Sequence, residues 1–149
     1  MAGGVEGALI AAGLGPVYGR CLALRTAVFV DEQGVPADLE EDGLDGGCVH
    51  ILVFDANGVD LGCARVRGLP DGRVKAERVA VRADARGRGI GRFVMDLLEA
   101  VGRQRGAPEV LLAAQVTAVP FYEKLGYAVI SDEFMDAGIP HRKMARRLG

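Results

Sequence analysis

The residues of this chain best suited to chemistry form the run Arg86-Gly87-Arg88-Gly89-Ile90-Gly91. Upstream, Val79, Ala80 and Val81 close a strand-like stretch that starts near Val74. Downstream, Ile90, Phe93, Val94, Leu97, Leu98 and Val101 recur at i, i+3, i+4, i+7, i+8 and i+11, the spacing of one apolar helix face. The glycines therefore stand at a helix N-terminus, where the first backbone N–H groups lack intrahelical partners and the dipole end is positive. Glycines at several positions let an anion approach that backbone closely, and two arginines add forked donors suited to phosphate oxygens. The chemistry indicated is binding of a phosphate or diphosphate.

Two better-known phosphate loops do not fit. In the dinucleotide-binding pattern G-x-G-x-x-G, counted from Gly87, Arg92 takes the place of the third glycine. The pattern G-x-x-x-x-G-K-[ST] is excluded because no Lys-Ser or Lys-Thr pair occurs. Other function classes fall away on composition. The net charge is -2 without an evident basic face, which argues against nucleic-acid binding. No apolar run approaches the ~20 residues that span a bilayer. Met1 to Gly15 lacks a positive n-region, so no secretory leader is expected. Cys21, Cys48 and Cys63 show no C-x-x-C spacing and read as reduced thiols of a cytoplasmic protein. The two histidines belong to no Cys/His cluster, so no metal site is expected.

At 149 residues the chain is expected to be a single domain, residues 1–149. The positioning elements follow from periodicity and turn chemistry. Ala8 to Leu14 reads as a strand, and Pro16 to Val30 as a helix in which Val17, Cys21, Leu24 and Val28 share a face. The acidic segment Asp38 to Gly47 reads as a loop carrying one helical turn. Cys48 to Asp55, Val59 to Arg67 and Val74 to Val81 read as three strands, joined by turns at Asn57-Gly58 and Leu69-Pro70-Asp71-Gly72. After the glycine loop and a helix to about Arg105, Glu109 to Gln115 lacks alternation and reads as a strand buried on both faces. A short helix, Val119 to Leu125, ends at Gly126, and Tyr127 to Ile130 and Lys143 to Arg147 read as the last strands.

The remaining pattern, Arg-x-x-Gly-x-Gly, resembles the acetyl-CoA pyrophosphate loop of the GNAT superfamily of N-acetyltransferases. The order of elements matches that family. Further segments resemble its YjcF/ElaA-like branch: Arg25 to Pro36, Asp42-x-x-Asp45 with His50, Glu77 to Val81, Ala114-Gln115, Ala118 to Tyr127, and Gly138-Ile139-Pro140-His141-x-x-Met144. The resemblance covers roughly residues 16–147. It implies an α/β GNAT fold, with a mixed, mostly antiparallel central sheet flanked by helices. Two parallel strands, Val74–Val81 and Glu109–Gln115, would splay apart to admit the pantetheine arm.

By resemblance, Arg86, Gly87, Arg88, Gly89, Ile90 and Gly91 would hold the pyrophosphate of acetyl-CoA. Val79 and Val81 would offer backbone groups to the pantetheine and to the thioester carbonyl, and Gln115, where many relatives carry Asn, an amide. Tyr122 would be the general acid for the departing thiolate, against the alternative of a half-buried aromatic. Glu77 would be the base, sharing a strand face with Val79 and Val81, its pKa raised by burial; the alternative is an ion pair with a neighbouring arginine. Arg25, Phe29 and Glu32 of the first helix would flank the acceptor site, or Arg25 and Glu32 would pin the loop as an ion pair. His141 would line the acceptor pocket from the last hairpin or serve as hydrogen-bonded structure.

Cys48 and His50 raise a nucleophilic pair without a legible orienting partner, and Glu40-Glu41-Asp42-x-x-Asp45 reads as a lure for a cationic amine or as a solvated run. The expected activity is transfer of acetyl from acetyl-CoA to a primary amine of a small molecule by direct attack in a ternary complex. Two readings stand beside it. One is an acyl transferase using longer acyl-CoA or an acyl-carrier protein, as in acyl-homoserine lactone synthases, which lack the full glycine loop. The other is a non-catalytic CoA-binding protein. Many GNAT proteins dimerise, so a homodimer is compatible, although no interface is legible.

Overall fold

In the computed structural model, which describes residues 4–149, eight strands form one sheet among the described residues. Met1 to Gly3, where the stretch read for a leader begins, lie outside them. β1 (Val5–Ala12), β2 (Val49–Asp55), β3 (Asp60–Gly68) and β4 (Val74–Val81) are antiparallel neighbours, joined at the two turns the sequence marks. β5 (Glu109–Gln115) lies parallel to β4, and β8 (Ile139–Arg147) antiparallel to β5. β6 (Ala128–Val129) and β7 (Phe134–Asp136) pair with the other edge of β8. The sheet is thus mixed and mostly antiparallel with one parallel pair.

Each face is covered by a helix whose apolar stripe fits it. α1 (Pro16–Arg25) starts on a proline and packs Cys21 and Leu24 on Leu52, Cys63 and Ala80. α3 (Ile90–Gln104) lays Ile90, Val94, Met95 and Leu98 on Ile51, Val53, Ala64 and Val66 of the opposite face. Gly62 of β3 is where α3 comes closest: a Cβ there would lie 2.8 Å from Ile90 Cγ2 and 3.2 Å from Val94 Cγ2. Both neighbours are fully buried and cannot give way. Gly62→Ala is therefore expected to destabilise the chain by roughly 1–3 kcal/mol, read as a lowered thermal midpoint.

Three elements differ from the sequence reading. The first helix does not run regularly to Val30. Over Thr26–Glu32 it widens to a π-helix, with Gln33 N–H donating to Val28 O at 3.1 Å. The β7–β8 hairpin, missed from sequence, turns on Ala137 (φ 51°) and Gly138 (φ 75°), and it starts β8 at Ile139 rather than Lys143. β5 is not buried on both faces. Val110, Leu112 and Ala114 are sealed against the α3 layer, whereas the alternate residues are half-buried because α1 lies over β2, β3 and β4.

The local feature with most consequence is a bulge in β4. Cys63 faces Ala80 and Arg65 faces Glu77, so Arg78 and Val79 together stand opposite Ala64. Arg78 takes φ 53°, a left-handed conformation unusual for a side chain with Cβ. The extra residue reverses the alternation. Glu77 lies on the α1 face with Arg65, whereas Val79 and Val81 pack towards the α3 side.

Candidate active site

β4 and β5 are paired only where Val74, Lys75 and Ala76 meet Val110, Leu111 and Leu112. Beyond Ala76 the two strands have no register, and a cavity of about 780 Å³ opens there. Val79 and Val81 of β4, Gln115 at the end of β5, and Tyr122 of α4 (Val119–Lys124) line it. The edge of β4 that faces β5 is thus left without a strand partner where the resemblance requires backbone groups to be available.

One end of the cavity is the N-terminus of α3. Gly89 caps the helix in the left-handed conformation (φ 77°), and no side chain caps the first N–H groups. Gly87 is likewise left-handed (φ 79°), with nothing within 4 Å of where its Cβ would stand. At Gly91 a Cβ would come within 3.1 Å of the Phe121 ring. The backbone is therefore open at Gly87, whereas Gly91 leaves little room for a Cβ beside Phe121, and Ile90 and Arg92 line the cavity beside the loop. The two loop arginines are already occupied. Arg86 forks onto Glu32 and donates to Val81 O at 3.1 Å, while Arg88 donates to Asp84 O at 2.8 Å. An anion at this loop meets backbone N–H groups first, because protein acceptors already hold both guanidinium groups.

The Tyr122 ring is 8% exposed and packs edge-on against Phe121 and Tyr127. Burial pushes its phenol above the ordinary tyrosine value and keeps it protonated. Its hydroxyl has no protein partner among the described residues and is not sealed off from the cavity.

The opposite end is built by the π-helical turn, α2 (Ala37–Glu40) and the last hairpin. Phe29, Val28, Val35 and Leu39 supply apolar wall, and Asp136, Ile139 and His141 face it. Phe29 and His141 thus both line this end of the cavity. Gln33, absent from that reading, accepts a hydrogen bond from Gln115 Nε2 at 2.8 Å and ties the first helix to β5. No periodic signal singles it out, since the π-helical turn sets its direction.

Four expectations are corrected. Glu77 does not share a face with Val79 and Val81, because of the bulge. Burial raises its pKa, but Arg67 and Arg65 at 2.9 Å and Lys75 at 3.5 Å outweigh that and hold the carboxyl below its usual value. Glu77 is an ion-pair residue, poorly suited to accept a proton. Arg25 and Glu32 do not pair: Arg25, 1% exposed, donates to Glu40 and Asp45, each at 2.7 Å, and Glu32 joins Arg86. Neither Arg25 nor Glu32 lines the cavity. The acidic segment is neither lure nor solvated run, since Glu40 and Asp45 are buried and Asp42, half-exposed, pairs with Arg65 at 2.8 Å. Cys48 and His50 form no nucleophilic pair. Burial raises the Cys48 thiol, which donates to Leu44 O, while His50 Nε2 bonds Asp45 O.

The architecture and this site have counterparts among known proteins. A family described as an acetyltransferase (GNAT) domain matches residues 15–148. The chain belongs to the GNAT acetyltransferases. YjcF of Bacillus subtilis, described as an uncharacterized N-acetyltransferase, is 44% identical over 124 residues, 83% of this chain and 87% of that protein. The crystal structure of Escherichia coli ElaA superposes with a TM-score of 0.83 at 29% identity, covering 95% of this chain and 99% of that one. An acyl-CoA N-acyltransferase from Pseudomonas aeruginosa superposes with a TM-score of 0.82 at 30% identity, again covering 95% and 99%. GNAT enzymes take their acyl group from acyl-CoA, and the loop at α3 fits a CoA diphosphate. It is an uncapped helix N-terminus with left-handed glycines and open space where a Cβ at Gly87 would stand. No helix among the described residues is long and apolar enough to cross a membrane.

Proposed function

We propose that this GNAT enzyme transfers acetyl from acetyl-CoA to a primary amine of a small molecule, by direct attack in a ternary complex. The observation that carries the reading is one continuous cavity, running from the anion-binding end of α3 past Tyr122 to an apolar acceptor end. Acetyl-CoA supplies an activated thioester acyl group. The backbone of Gly87, Gly89 and Gly91, with Arg92 beside it, binds the diphosphate, and the unpaired edge of β4 at Val79 and Val81 orients the arm. Phe29, Val35 and Leu39 exclude water around the amine. Tyr122 Oη holds a proton for the departing sulfur. Burial that raises the phenol's pKa equally raises the basicity of a thiolate formed in the same poorly solvated space, so the transfer is not opposed. Direct attack is favoured because Cys48, the one nucleophile candidate of the sequence, is buried and held as a thiol.

Titration calorimetry with acetyl-CoA, followed by release of free thiol over a panel of primary amines, tests the reading. The expected result is micromolar binding and turnover with at least one amine; binding without turnover for any amine overturns the catalytic part. Tyr122→Phe is expected to lower kcat by roughly 100-fold, with acetyl-CoA binding unmoved. Because the hydroxyl has no protein partner, stability should be unchanged, and an unaltered kcat removes Tyr122 from the mechanism.

A further inference from the structure

With Glu77 locked among cations, the acceptor end needs another group to take the proton of an ammonium substrate, and we propose that His141 is that base. The inference rests on the acetyl-transfer reading above. His141 Nδ1 lies 2.7 Å from Ile139 O. A carbonyl only accepts, so Nδ1 carries the hydrogen, and in the neutral ring Nε2 is left as a lone-pair acceptor. The ring is stacked on Phe134 at 6.0 Å between centroids, which holds its plane. His141 faces Gln115 across the β5–β8 ladder, so it stands on the side of the sheet from which Gln115 reaches Gln33. It lines the cavity, and its Nε2 is neither bonded to protein nor sealed in the core. The other histidine differs on each count: His50 spends Nε2 on Asp45 O, and its Nδ1 is buried without a partner.

The charged groups that share this end are Glu40, Lys75, Glu77, Arg78 and Asp136. The first four are tied to one another or to Arg25, Arg65 and Arg67, whereas Asp136 has no ion-pair partner among the described residues. An ammonium group entering here meets one free carboxylate, at Asp136 on the hairpin, and one free nitrogen base, His141 Nε2. The step is a single proton transfer. The ammonium nitrogen gives its proton to Nε2 and keeps the electron pair for attack. The imidazolium that forms retains its Nδ1–H bond to Ile139 O and later releases the Nε2 proton to solvent.

Two measurements test this. Because the chain has only two histidines, ¹⁵N ring spectra of the natural protein are assigned by the signal lost in His141→Gln. The neutral His141 ring is expected as the Nδ1–H tautomer; an Nε2–H tautomer overturns the proposal without any substrate. With the best amine of the panel, His141→Gln is expected to lose roughly 100-fold in kcat/KM near neutral pH while binding acetyl-CoA normally. The deficit should narrow steadily as the pH rises towards about 10, close to the pKa of a primary amine, where a growing share of the substrate is already neutral. A merely structural histidine would show no such recovery, and a variant within threefold of the natural enzyme at neutral pH sinks the role. Failure of the natural enzyme on every amine counts against acetyl transfer itself, while the tautomer still decides the histidine.

Discussion

Gly89→Glu is expected to weaken acetyl-CoA binding by at least roughly 100-fold while the fold persists. Two costs separate cleanly at this position. Gly89 caps α3 at φ 77°, where a residue with Cβ pays about 1–2 kcal/mol. That is affordable against a domain stability of about 5–15 kcal/mol. The larger cost is electrostatic. A carboxylate placed at the uncapped, positive end of the helix satisfies the N–H groups that a diphosphate needs and repels its charge, and such like-charge contacts cost several kcal/mol. Gly89→Ala carries the backbone strain without the charge and should lose less than about tenfold. Calorimetric titration of both variants, with circular dichroism as the folding control, checks the pair. Undiminished binding by the glutamate variant would remove the loop from the CoA site.

Arg65→Ala has the largest expected effect on stability. Arg65 is fully buried on β3 and donates to Asp42 at 2.8 and 2.9 Å, to Glu77 at 2.9 Å and to Asp45 at 3.1 Å. Asp45 is shared with Arg25, which also holds Glu40, so one substitution uncovers carboxylates within a connected cluster. Removing one partner of a buried pair typically costs about 3–5 kcal/mol, a drop of roughly 6–20 °C in the thermal midpoint of a chain this size. Arg82→Ala breaks a pair that is 47% and 69% exposed and should shift the midpoint hardly at all.

The cluster also sets the acid response. Arg65 hydrogen bonds lead in holding Asp42 below its usual value; for Asp45 and Glu77 burial opposes the lowering, and the arginines prevail. Groups depressed in the folded state stabilise above their unfolded pKa of about 4 and lose that contribution as the pH falls below it. Melting scans from neutral pH to about pH 3 should therefore show a steep acid loss in the natural chain and a shallower one in Arg65→Ala. Parallel slopes would place the acid-sensitive groups elsewhere.

This cluster marks the limit of what the chain discloses by pattern alone. Glu40, Asp42 and Asp45 read as a charged surface segment because nothing local shows that Arg25, from a helix, and Arg65, from a strand, converge beneath them. Glu77 fits a base as long as β4 alternates regularly. One extra residue at Arg78 turns its carboxylate to the other face, and bulges leave no mark in hydrophobic periodicity. The π-helical turn hides in the same way: Val17, Cys21, Leu24 and Val28 satisfy an α-helix, yet the hydrogen bonds slip at Thr26 and so direct Phe29 and Gln33. By contrast, β4, β5 and α3 lie within a residue of where turn chemistry and spacing put them.

The sequence by itself determined the family, the order of elements apart from β7, the sheet's antiparallel start and the position of the glycine loop at the start of α3. Those depend on near neighbours: glycine's freedom at positive φ, the apolar repeat of one helix, the turn residues between strands. Only the tertiary structure decided which ionisable groups are free to act. A carboxylate or imidazole is defined by what lies within about 3 Å of it; for Arg25, Glu32 and Arg86 those partners come from distant parts of the chain, and for Glu77 the bulge turns it onto arginines of the neighbouring strand. His141 stays available because its own hairpin, not a distant charge, occupies its other nitrogen.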